Sequence, residues 1–425
     1  MSFRIPRGTV DLMSGEVEKW QYIEDKAREL CRRYHFSEIR TPIFEQTELF
    51  QRGVGETTDV VSKEMYTFLD RGGRSLTLRP EGTAGVVRSF VEKKVYGEPQ
   101  PTKWYYIGQM YRYERPQAGR QRQFHQFGIE AFGATDPALD AELIDLGWQF
   151  YHSVGIRGVK VALNSVGCST CRPRHREKLV AYLTPHKEAL CKDCQTRFDQ
   201  NPMRILDCKN EGCQQVTHDA PRMVDYLCEE CEPHFEAVKE NLDLLDVEWF
   251  LDTRLVRGLD YYTQTAFEYI LEGQGGHAGS LGGGGRYNGL VQEVGGPEMP
   301  GVGFGLGLER VMLALDSQEV KLPIAHGVDC YIVSLGDNAK KRSVLLLKEL
   351  RQSGSTAERD YLDRKMKGQL KAADRAQARF VAILGENELE KNQIVVKEMA
   401  TGEQTTIQLD KLATYIREIS GKDHS

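Results

Sequence analysis

KWYYIGQMYRYERPQAGRQRQFHQFGIEAFG, residues 103–133, predicts an antiparallel hairpin. Two aromatic-rich runs alternate with period two, and a loop of sequence RPQAGRQ separates them. The alternation places Arg112 and Glu114 on one face of the first strand. It places Phe124, Gln126 and Glu130 on one face of the second. Gly128 is expected to leave space between the last two.

The turn of this hairpin is rich in arginine. Arg115, Arg120 and Arg122 cluster there, and guanidinium groups can hold phosphate oxygens in bidentate fashion. Phe124 is placed to stack on a purine base. A solvated basic loop at a sheet edge explains this segment equally well when it is taken alone. The hairpin therefore predicts a nucleotide site only in combination with other motifs.

Further helices and strands are predicted on both sides of the hairpin. Residues 20–34 have helical spacing, and residues 75–94 change from strand alternation to helical spacing after Pro80. Residues 247–270 are rich in β-branched and aromatic residues, which favours strand. Residues 281–296, LGGGGRYNGLVQEVGG, are expected to form a glycine-rich loop that runs into a short helix.

Residues 301–315, GVGFGLGLERVMLAL, predict a strand that passes into a helix starting near Arg310. The glycines at 301, 303, 305 and 307 remove side chains from one strand face, where a flat ligand can lie. Tight packing of the helix against the strand is the alternative explanation of these glycines. Their spacing lacks the register of a dinucleotide fingerprint, and the chain has no Walker lysine loop.

The C-terminal part differs in its order of predicted strands and helices. From Val328 the sequence alternates between strand-like and helix-like segments, which predicts a small, mostly parallel α/β domain after a linker at 321–329. Between Tyr361 and Phe380 the basic residues outnumber the acidic ones: Arg364, Lys365, Lys367, Lys371, Arg375 and Arg379 against Asp363 and Asp374. Such a patch suits backbone phosphates, although a solvated helix face is the simpler explanation of any single lysine.

Composition limits the class of protein. The chain has 425 residues, 40% of them hydrophobic and 28% charged, so we expect two large domains and a smaller module. No apolar run approaches the ~20 residues that span a bilayer, and the N-terminus has no apolar signal region. We therefore expect a cytoplasmic protein that does not enter membranes. The net charge of −6 means that nucleic acid would have to meet local basic patches.

Eight of the ten cysteines fall between positions 168 and 231 as close pairs: Cys168/Cys171, Cys191/Cys194, Cys208/Cys213 and Cys228/Cys231. A C-x-x-C pair can place two thiolates on one metal, and tetrahedral zinc takes four, so the pairs permit one or two structural zinc sites. Disulfides are the competing interpretation and are disfavoured in a reducing compartment. Inert cysteines are a third and weaker interpretation, because four close pairs rarely arise by chance.

Five segments carry a resemblance to the class II aminoacyl-tRNA synthetases, most closely the histidyl-tRNA synthetase family. EIRTPIFEQTELF (38–50) is similar to the dimer-forming motif 1, residues 106–130 resemble motif 2, and residues 301–313 resemble motif 3. RGLDYYTQTAFE (257–268) and GGGGRYNGL (282–290) resemble the two histidine-specific motifs. The chain departs from the family pattern in its cysteine pairs and in Asn288, where an aspartate is more usual.

The resemblance implies an ATP and L-histidine site. Its ATP contacts would be Arg112, Glu114, Arg120, Phe124 and Arg310. Its histidine contacts would be Glu81, Gly82, Thr83, Arg112, Gln126, Glu130, Arg257, Tyr261, Tyr262 and Tyr287. The implied catalytic residues are Arg257 and Arg112, with Arg257 stabilising charge on the α-phosphate while Mg²⁺ accompanies ATP.

The resemblance also implies the partners and the architecture. The partners would be tRNA-His, contacted by Lys367, Lys371 and Arg375, and a second copy of the chain in a homodimer. The implied fold is an α+β catalytic domain with a mixed, mainly antiparallel sheet, interrupted by a small cysteine-rich module and followed by an α/β anticodon-binding domain. The expected boundaries are 1–165 and 241–322 for the catalytic domain, 166–240 for the insertion and 328–425 for the anticodon-binding domain.

Two other functions compete with a histidine–tRNA ligase. A synthetase-like regulatory subunit of a histidine-biosynthetic transferase would share the fold, but such paralogues usually lack the anticodon-binding domain and parts of motif 2. A zinc-dependent nucleic-acid-binding module would explain the cysteines and leave the glycine and arginine motifs without a role. The sequence therefore favours the ligase.

Overall fold

The computed structural model describes residues 3–55, 58–273, 279–324 and 327–421. The chain divides into two compact units, residues 1–322 and 323–425. Within the described residues, no helix has both the length and the apolar character that a bilayer crossing requires. The further division of the first unit at 166 and 240 stays a prediction.

The first unit contains strands and helices in alternating groups. Its strands are β1 (Ser37–Glu38), β2 (Phe44–Gln46), β3 (Tyr66–Leu69), β4 (Ser75–Leu78), β5 (Thr102–Tyr111), β6 (Gln123–Phe132), β7 (Val159–Ser165), β8 (Trp249–Leu251), β9 (Thr263–Leu271), β10 (Ser280–Arg286) and β11 (Gly301–Gly307). Its helices are α1 (Val17–Arg33), α2 (Thr47–Val54), α3 (Thr83–Glu92), α4 (Pro137–Ser153), α5 (Cys171–Leu183), α6 (Lys192–Gln200), α7 (Glu211–Thr217), α8 (Cys231–Leu244), α9 (Leu290–Glu293) and α10 (Leu308–Ser317).

Eight of the described strands form one sheet in the order β1-β5-β6-β11-β10-β9-β7-β8. The outer pairs β1/β5 and β7/β8 are parallel, and the five pairs between them are antiparallel. The predicted mixed, mainly antiparallel sheet is therefore confirmed, as is the hairpin of β5 and β6. A second sheet has three strands in the order β2-β4-β3 and shares no strand with the large sheet.

Period-two alternation separates the two faces of the large sheet. Phe127, Val302, Phe304 and Phe267 lie on the face that joins the main core with α1, α4, α8 and α10. The intervening positions on β6 and β11 face the other way, and on β11 these positions are the glycines of the 301–307 run. Truncating a fully buried phenylalanine such as Phe127 to alanine would destabilise the fold by roughly 3–5 kcal/mol.

Two local predictions in the first unit are wrong. Residues 280–286 form strand β10 and not a loop, because their glycines allow close approach to β9 and β11: a Cβ on Gly284 would lie 2.0 Å from the Gly303 carbonyl oxygen. Residues 247–270 were expected to be continuous strand, but β8 ends at Leu251 and β9 begins at Thr263. The intervening segment is the one that carries Arg257.

The second unit has the expected alternation of elements. They are β12 (Cys330–Ser334), α11 (Asp337–Gln352), β13 (Ala357–Arg359), α12 (Met366–Arg375), β14 (Phe380–Leu384), α13 (Glu386–Glu390), β15 (Gln393–Glu398), β16 (Gln404–Gln408) and α14 (Leu412–Ile419). The sheet order is β13-β12-β14-β15-β16, with two parallel and two antiparallel neighbour pairs. The expectation of a mostly parallel sheet is wrong because the last two strands, β15 and β16, pair antiparallel to their neighbours.

Candidate active site

A cleft of about 390 Å³ opens over the glycine-bearing face of the large sheet. The sequence-predicted residues on its walls are Glu81, Thr83, Arg112, Glu114, Arg120, Phe124, Gln126, Arg257, Tyr261, Tyr262 and Arg310. The structure thus brings together residues from segments more than 200 positions apart. Glu130 and Tyr287 are buried beneath this wall, and Gly82 adjoins it at the start of α3.

Glu81 lies at the junction of strand and helix predicted at Pro80. β4 ends at Leu78 and α3 begins at Thr83, so the Glu81 carboxylate faces the free amides of the first helical turn. It accepts hydrogen bonds from the Thr83 N–H at 2.7 Å and the Ala84 N–H at 2.8 Å. Burial nevertheless raises the pKa of Glu81, against the opposing effect of these two bonds.

Glu130 is the most deeply placed acid of the site. The Thr83 hydroxyl donates to its Oε1 at 2.6 Å, and the Tyr287 hydroxyl donates to its Oε2. Gly303 makes room for the carboxylate, since a Cβ there would lie 2.0 Å from Oε2. Burial raises the pKa of Glu130 to about 8, although both hydroxyl donors act in the opposite direction. The result is an ordered acceptor whose charge depends on pH near neutrality.

The space expected at Gly128 is filled by Tyr106. A Cβ on Gly128 would lie 2.3 Å from the Tyr106 ring, and a Cβ on Gly82 would lie 2.2 Å from it. The Tyr106 hydroxyl donates to Gln126 Oε1 at 3.2 Å. The two glycines therefore accommodate an aromatic wall beside Gln126, and the prediction of open space at Gly128 is wrong.

The hairpin end supplies a connected group of charged side chains. Arg112 donates through Nε to the Pro80 carbonyl oxygen at 2.8 Å, and its guanidinium lies 5.3 Å from the centre of the Phe124 ring. Glu114 lies between two arginines, with Oε1 3.7 Å from Arg112 Nη1 and Oε2 3.5 Å from Arg120 Nη1. This arrangement holds two guanidinium groups and one aromatic face at the same end of the cleft.

The three turn arginines do not act alike. Arg120 lines the cleft, whereas Arg115 is exposed outside its walls. Arg122 stacks on Tyr113 at 4.1 Å from the ring centre and donates to the Glu114 carbonyl oxygen at 3.2 Å. Of the three turn arginines, Arg120 alone therefore lines the cleft, and its binding of phosphate stays a prediction.

Arg310 and Arg257 approach the cleft from motif 3 and from the loop before β9. Arg310 donates to the Ser280 carbonyl oxygen, and burial together with the charge of Arg120 lowers its pKa. Arg257 Nη1 lies 2.7 Å from Glu268 Oε1, and its guanidinium lies 5.7 Å from the centre of the Tyr262 ring. Arg257 Nε is buried without a hydrogen-bond partner, so the group has a donor left for a ligand.

Sequence reasoning missed several residues of the cleft. Glu268 was quoted within a motif but given no role, and Tyr106 was not singled out at all; the facing glycines at 82 and 128 were the available signal for it. Asp59, Arg204 and Asp207 also line the cleft. No local pattern marks these three, because they reach the site only through tertiary folding of the 58–64 segment and the cysteine-rich region.

The eight paired cysteines form two groups of four. Cys168, Cys171, Cys228 and Cys231 make one group, and Cys191, Cys194, Cys208 and Cys213 make the other; within each, the sulfurs lie within 4.8 Å of one another. These groups could hold a metal ion. Sulfur distances of 3.6 Å (Cys168 to Cys171), 3.7 Å (Cys168 to Cys228) and 3.9 Å (Cys191 to Cys208) are far longer than a disulfide bond. We name the groups the first and the second cysteine cluster.

The basic residues predicted to contact tRNA lie on α12 in the second unit. Lys367, Lys371 and Arg375 are spaced by four positions, so they share one helix face, and all three are exposed. Arg364, by contrast, is paired with Asp360 at 2.6 Å. The structure therefore offers a three-charge stripe within the larger basic segment.

Comparison with known proteins assigns the whole chain. A family model described as "Histidyl-tRNA synthetase" matches residues 8–311, and one described as "Anticodon binding domain" matches residues 329–419. "Histidine--tRNA ligase" of Bacillus cytotoxicus is 57% identical over 420 residues, covering 98% of this chain and 99% of that protein. The chain belongs to the histidyl-tRNA synthetase family.

Solved structures agree with this family. Apo histidyl-tRNA synthetase from S. aureus has a TM-score of 0.84 at 45% identity, covering 98% of this chain and 100% of that one. An "ATP phosphoribosyltransferase regulatory subunit/histidyl-tRNA synthetase" from Bacillus halodurans C has a TM-score of 0.66 at 20% identity over 91% of this chain and 99% of that one, which shows the fold alone. The predicted histidyl-tRNA synthetase family, class II fold and histidine–tRNA ligase function are confirmed.

Proposed function

We propose that the chain activates L-histidine with ATP to give histidyl-adenylate and pyrophosphate, and then transfers histidine to the 3′ end of tRNA-His. The observation that carries this proposal is one cleft whose walls bring together Arg112, Arg120, Arg257 and Arg310, with the buried carboxylate of Glu130 beneath them. An enzyme that only bound nucleotide would have no need of an ordered carboxylate beneath the wall. A regulatory subunit that only bound histidine would not need the complete set of cleft arginines.

Histidine is proposed to bind at the inner end of the cleft. Glu130 and Tyr262 would meet the two imidazole nitrogens, one of which donates and the other of which accepts in the neutral ring. Glu81 and Gln126 would hold the substrate amino group, beside Thr83 and Gly82. An amino acid that lacks either imidazole function would leave buried polar groups unpaired, which is the physical basis of selectivity.

ATP is proposed to bind at the hairpin end. Phe124 would stack on adenine, Arg112 and Arg310 would bind phosphate oxygens, and Glu114 and Arg120 would help to place the nucleotide. Mg²⁺ would enter with ATP and neutralise phosphate charge. The cleft carboxylates of Glu114 and Glu268 are oxygen ligands of the type that Mg²⁺ prefers.

In the first chemical step, the histidine carboxylate attacks the α-phosphorus of ATP in line and pyrophosphate leaves. Negative charge grows on the α-phosphoryl oxygens, and the Arg257 guanidinium is proposed to stabilise it. Two donors would serve: the Nε–H, which has no hydrogen-bond partner in the ligand-free protein, and Nη1, which is paired with Glu268 there. In the second step the terminal ribose hydroxyl of tRNA attacks the histidyl carbonyl carbon and AMP leaves. Lys367, Lys371 and Arg375 are proposed to bind the tRNA backbone.

Zinc is proposed for both cysteine clusters. Four thiolates at about 2.3 Å from a tetrahedral zinc ion lie about 3.8 Å apart, close to the observed sulfur distances. Backbone N–H groups of Cys228 and Cys191 point at Cys171 and Cys213 sulfurs, at 3.1 and 3.2 Å, as suits thiolate acceptors. A closed four-sulfur site leaves no position for substrate, so the metal would be structural and would order residues 166–240 as an inserted module.

A homodimer is proposed through the small sheet of β2, β3 and β4. Ile43, Phe44, Phe68 and Leu69 are exposed there, with exposed fractions of 45%, 51%, 43% and 70%. This apolar surface belongs in part to the segment that resembles the dimer-forming motif 1, and a second copy of the chain would remove it from water. The proposed location of the enzyme is the cytoplasm, where its charged tRNA would be used.

The deciding experiment is ATP–pyrophosphate exchange measured with each of the twenty amino acids. Exchange that depends on histidine, followed by charging of tRNA-His, is the expected result. Exchange with another amino acid, or binding of histidine without any exchange, would contradict the proposal, and the second outcome would favour the regulatory subunit.

A further inference from the structure

The segment 256–264 carries the groups on which the proposed chemistry depends. Arg257, Tyr261 and Tyr262 all belong to it, and it is irregular, since β8 ends at Leu251 and β9 begins only at Thr263. It ends on Gln264, whose φ of 52° is in the left-handed region that residues other than glycine rarely adopt. Such a conformation persists only where surrounding contacts enforce it.

The first contact comes from the residue next to Cys171. Arg172 donates through Nη2 to the Tyr262 carbonyl oxygen and through Nε to the Val166 carbonyl oxygen at 3.1 Å. Arg172 is the second residue of α5 and directly follows Cys171 of the first cysteine cluster, so the position of that cluster determines where the Arg172 side chain begins. One end of the segment is thereby tied to the cluster through a single side chain.

The second contact also involves the first cluster and is direct. Gln264 Nε2 donates to the Cys231 sulfur at 3.7 Å, while Gln264 Oε1 accepts from Asn288 Nδ2 at 2.9 Å. The asparagine orients the Gln264 amide so that its NH₂ group faces the sulfur.

The third contact comes from the second cluster. Asn201 lies between Cys194 and Cys208, and its Nδ2 donates to Asp260 Oδ1 at 3.1 Å. The backbone N–H of Asp260 donates to the Val54 carbonyl oxygen at 3.2 Å. The segment is therefore bonded to a member of the first cluster and to the stretch of chain between two members of the second.

Close packing holds only part of this interface. A cavity of about 160 Å³ lies among Arg172, His175, Leu179, Met203, Arg257 and Tyr262. Tyr261 and Tyr262 pack in a buried core cluster, and the Gln264 backbone is bonded to Val166 and Gly167. Beside the cavity, the three polar contacts hold the side of the segment that faces the cysteine-rich region. Loss of any one of them would give the Arg257 loop new freedom.

We propose that the two cysteine clusters position the 256–264 segment through Arg172, Gln264 and Asn201, so that the inserted module is required for histidine activation as well as for tRNA. Arg172, Gln264 and Asn201 are positioning residues, because they act through the segment and not on substrate. The inference rests on the proposed adenylation function. It makes the cysteine-rich module a structural support of the catalytic arginine.

The test compares two nearly isosteric variants with a matched control. Asn201→Asp places a carboxylate against Asp260, and Gln264→Met removes the donor to Cys231. Gln215→Glu, at an exposed position of the same module, makes a change of charge like that of Asn201→Asp without touching the segment. Each protein is assayed for exchange kinetics, for hydrogen–deuterium exchange of residues 256–264 and for thermal unfolding.

Each positioning variant should lower kcat for histidine-dependent exchange about 10-fold, the effect of one lost hydrogen bond. KM for ATP should stay within about 2-fold, because Phe124 and Arg310 lie on other elements. Deuterium uptake should rise in residues 256–264, and chelation of metal from the unsubstituted protein should raise it in the same segment. Gln215→Glu should change none of these.

Unchanged kcat and unchanged deuterium uptake in both variants would overturn the inference. So would a general rise in uptake through the large sheet, since that would mean loss of stability and not loss of positioning. Failure of the unsubstituted protein to exchange with histidine would instead overturn the proposed function, and the uptake of residues 256–264 would still decide whether the clusters hold the segment.

Discussion

Arg257 and Glu268 form an ion pair across strand β10, with Nη1 and Oε1 2.7 Å apart. Glu268 pairs with Gly283 in the β9/β10 register, and a Cβ on Gly283 would lie 2.8 Å from Arg257 Nη1. The glycine run of β10 is therefore what allows the guanidinium to lie across the sheet. The Glu268 carboxylate thus holds in place the guanidinium that is proposed to act on the substrate phosphate.

Replacing Arg257 by alanine should lower the rate of histidine-dependent exchange by roughly two to three orders of magnitude, because its proposed role is to stabilise charge that develops in the transition state. Histidine binding, measured by calorimetry, should change little. Pairing this change with Glu268→Gln removes the carboxylate that would be left without its partner. If the double variant regains stability but not activity, the role is catalytic; an unchanged rate in either variant would remove it.

The stability of the ligand-free protein should fall as pH rises from about 5 to about 8. The pKa of Glu130 is raised from 4.5 to about 8 by burial, so the folded protein retains a proton there that the unfolded chain releases. Glu130→Gln mimics the protonated acid and should flatten this part of the pH profile, as measured by urea unfolding at several pH values. Glu232→Gln, at an exposed position, is the control. Parallel profiles for all three proteins would contradict the assignment.

Neutralising Lys367, Lys371 and Arg375 together should weaken tRNA charging and leave exchange intact, since the contacts proposed for them are to tRNA phosphates and not to ATP or histidine. The salt dependence of tRNA binding should also become shallower, because fewer counterions are released. The exposed residues Lys348, Lys391 and Lys411 of the same unit provide a control with equal loss of charge. A parallel fall in exchange would indicate that the helix is structural.

Elemental analysis of protein purified without added metal should find two zinc ions per chain, one for each cysteine cluster. Cys231→Ser and Cys208→Ser should each remove one ion, and the double variant both. Loss of the same ion by both single variants would contradict the grouping of the pairs. Absence of zinc with eight freely titrating thiols in the folded protein would eliminate the metal.

Replacing Phe68 by glutamate should weaken self-association of the chain, because a charge would then lie in the apolar surface proposed for the dimer. Sedimentation velocity at several concentrations measures the effect. Leu245→Glu, at an exposed apolar position outside the small sheet, should leave the association unchanged. A monomeric unsubstituted protein would contradict the proposed homodimer.

Local pattern was sufficient for four of the elements that carry the site, β5, β6, β11 and α10. The hairpin of β5 and β6 follows from period-two alternation around a Pro/Gly turn, and β11 with α10 follows from glycine spacing ahead of an apolar helical run. Arg112, Phe124 and Gln126 could be placed on strand faces because their neighbours along the chain determine those faces. The motif resemblance extended this to Arg257, Tyr262 and Arg310.

Contacts between distant segments decided the rest. The spacing of four cysteine pairs is compatible with any grouping, and only the fold joins Cys168 to Cys228, 60 positions away. Tyr106 occupies the space at Gly128 because α3 brings Gly82 to the same ring, and 280–286 is a strand because β9 and β11 lie on either side of it. Sequence alone determined which chemical groups this protein has and on which elements most of them lie. Which of them meet was decided by tertiary packing, because sheet register and helix docking depend on residues that no local window contains.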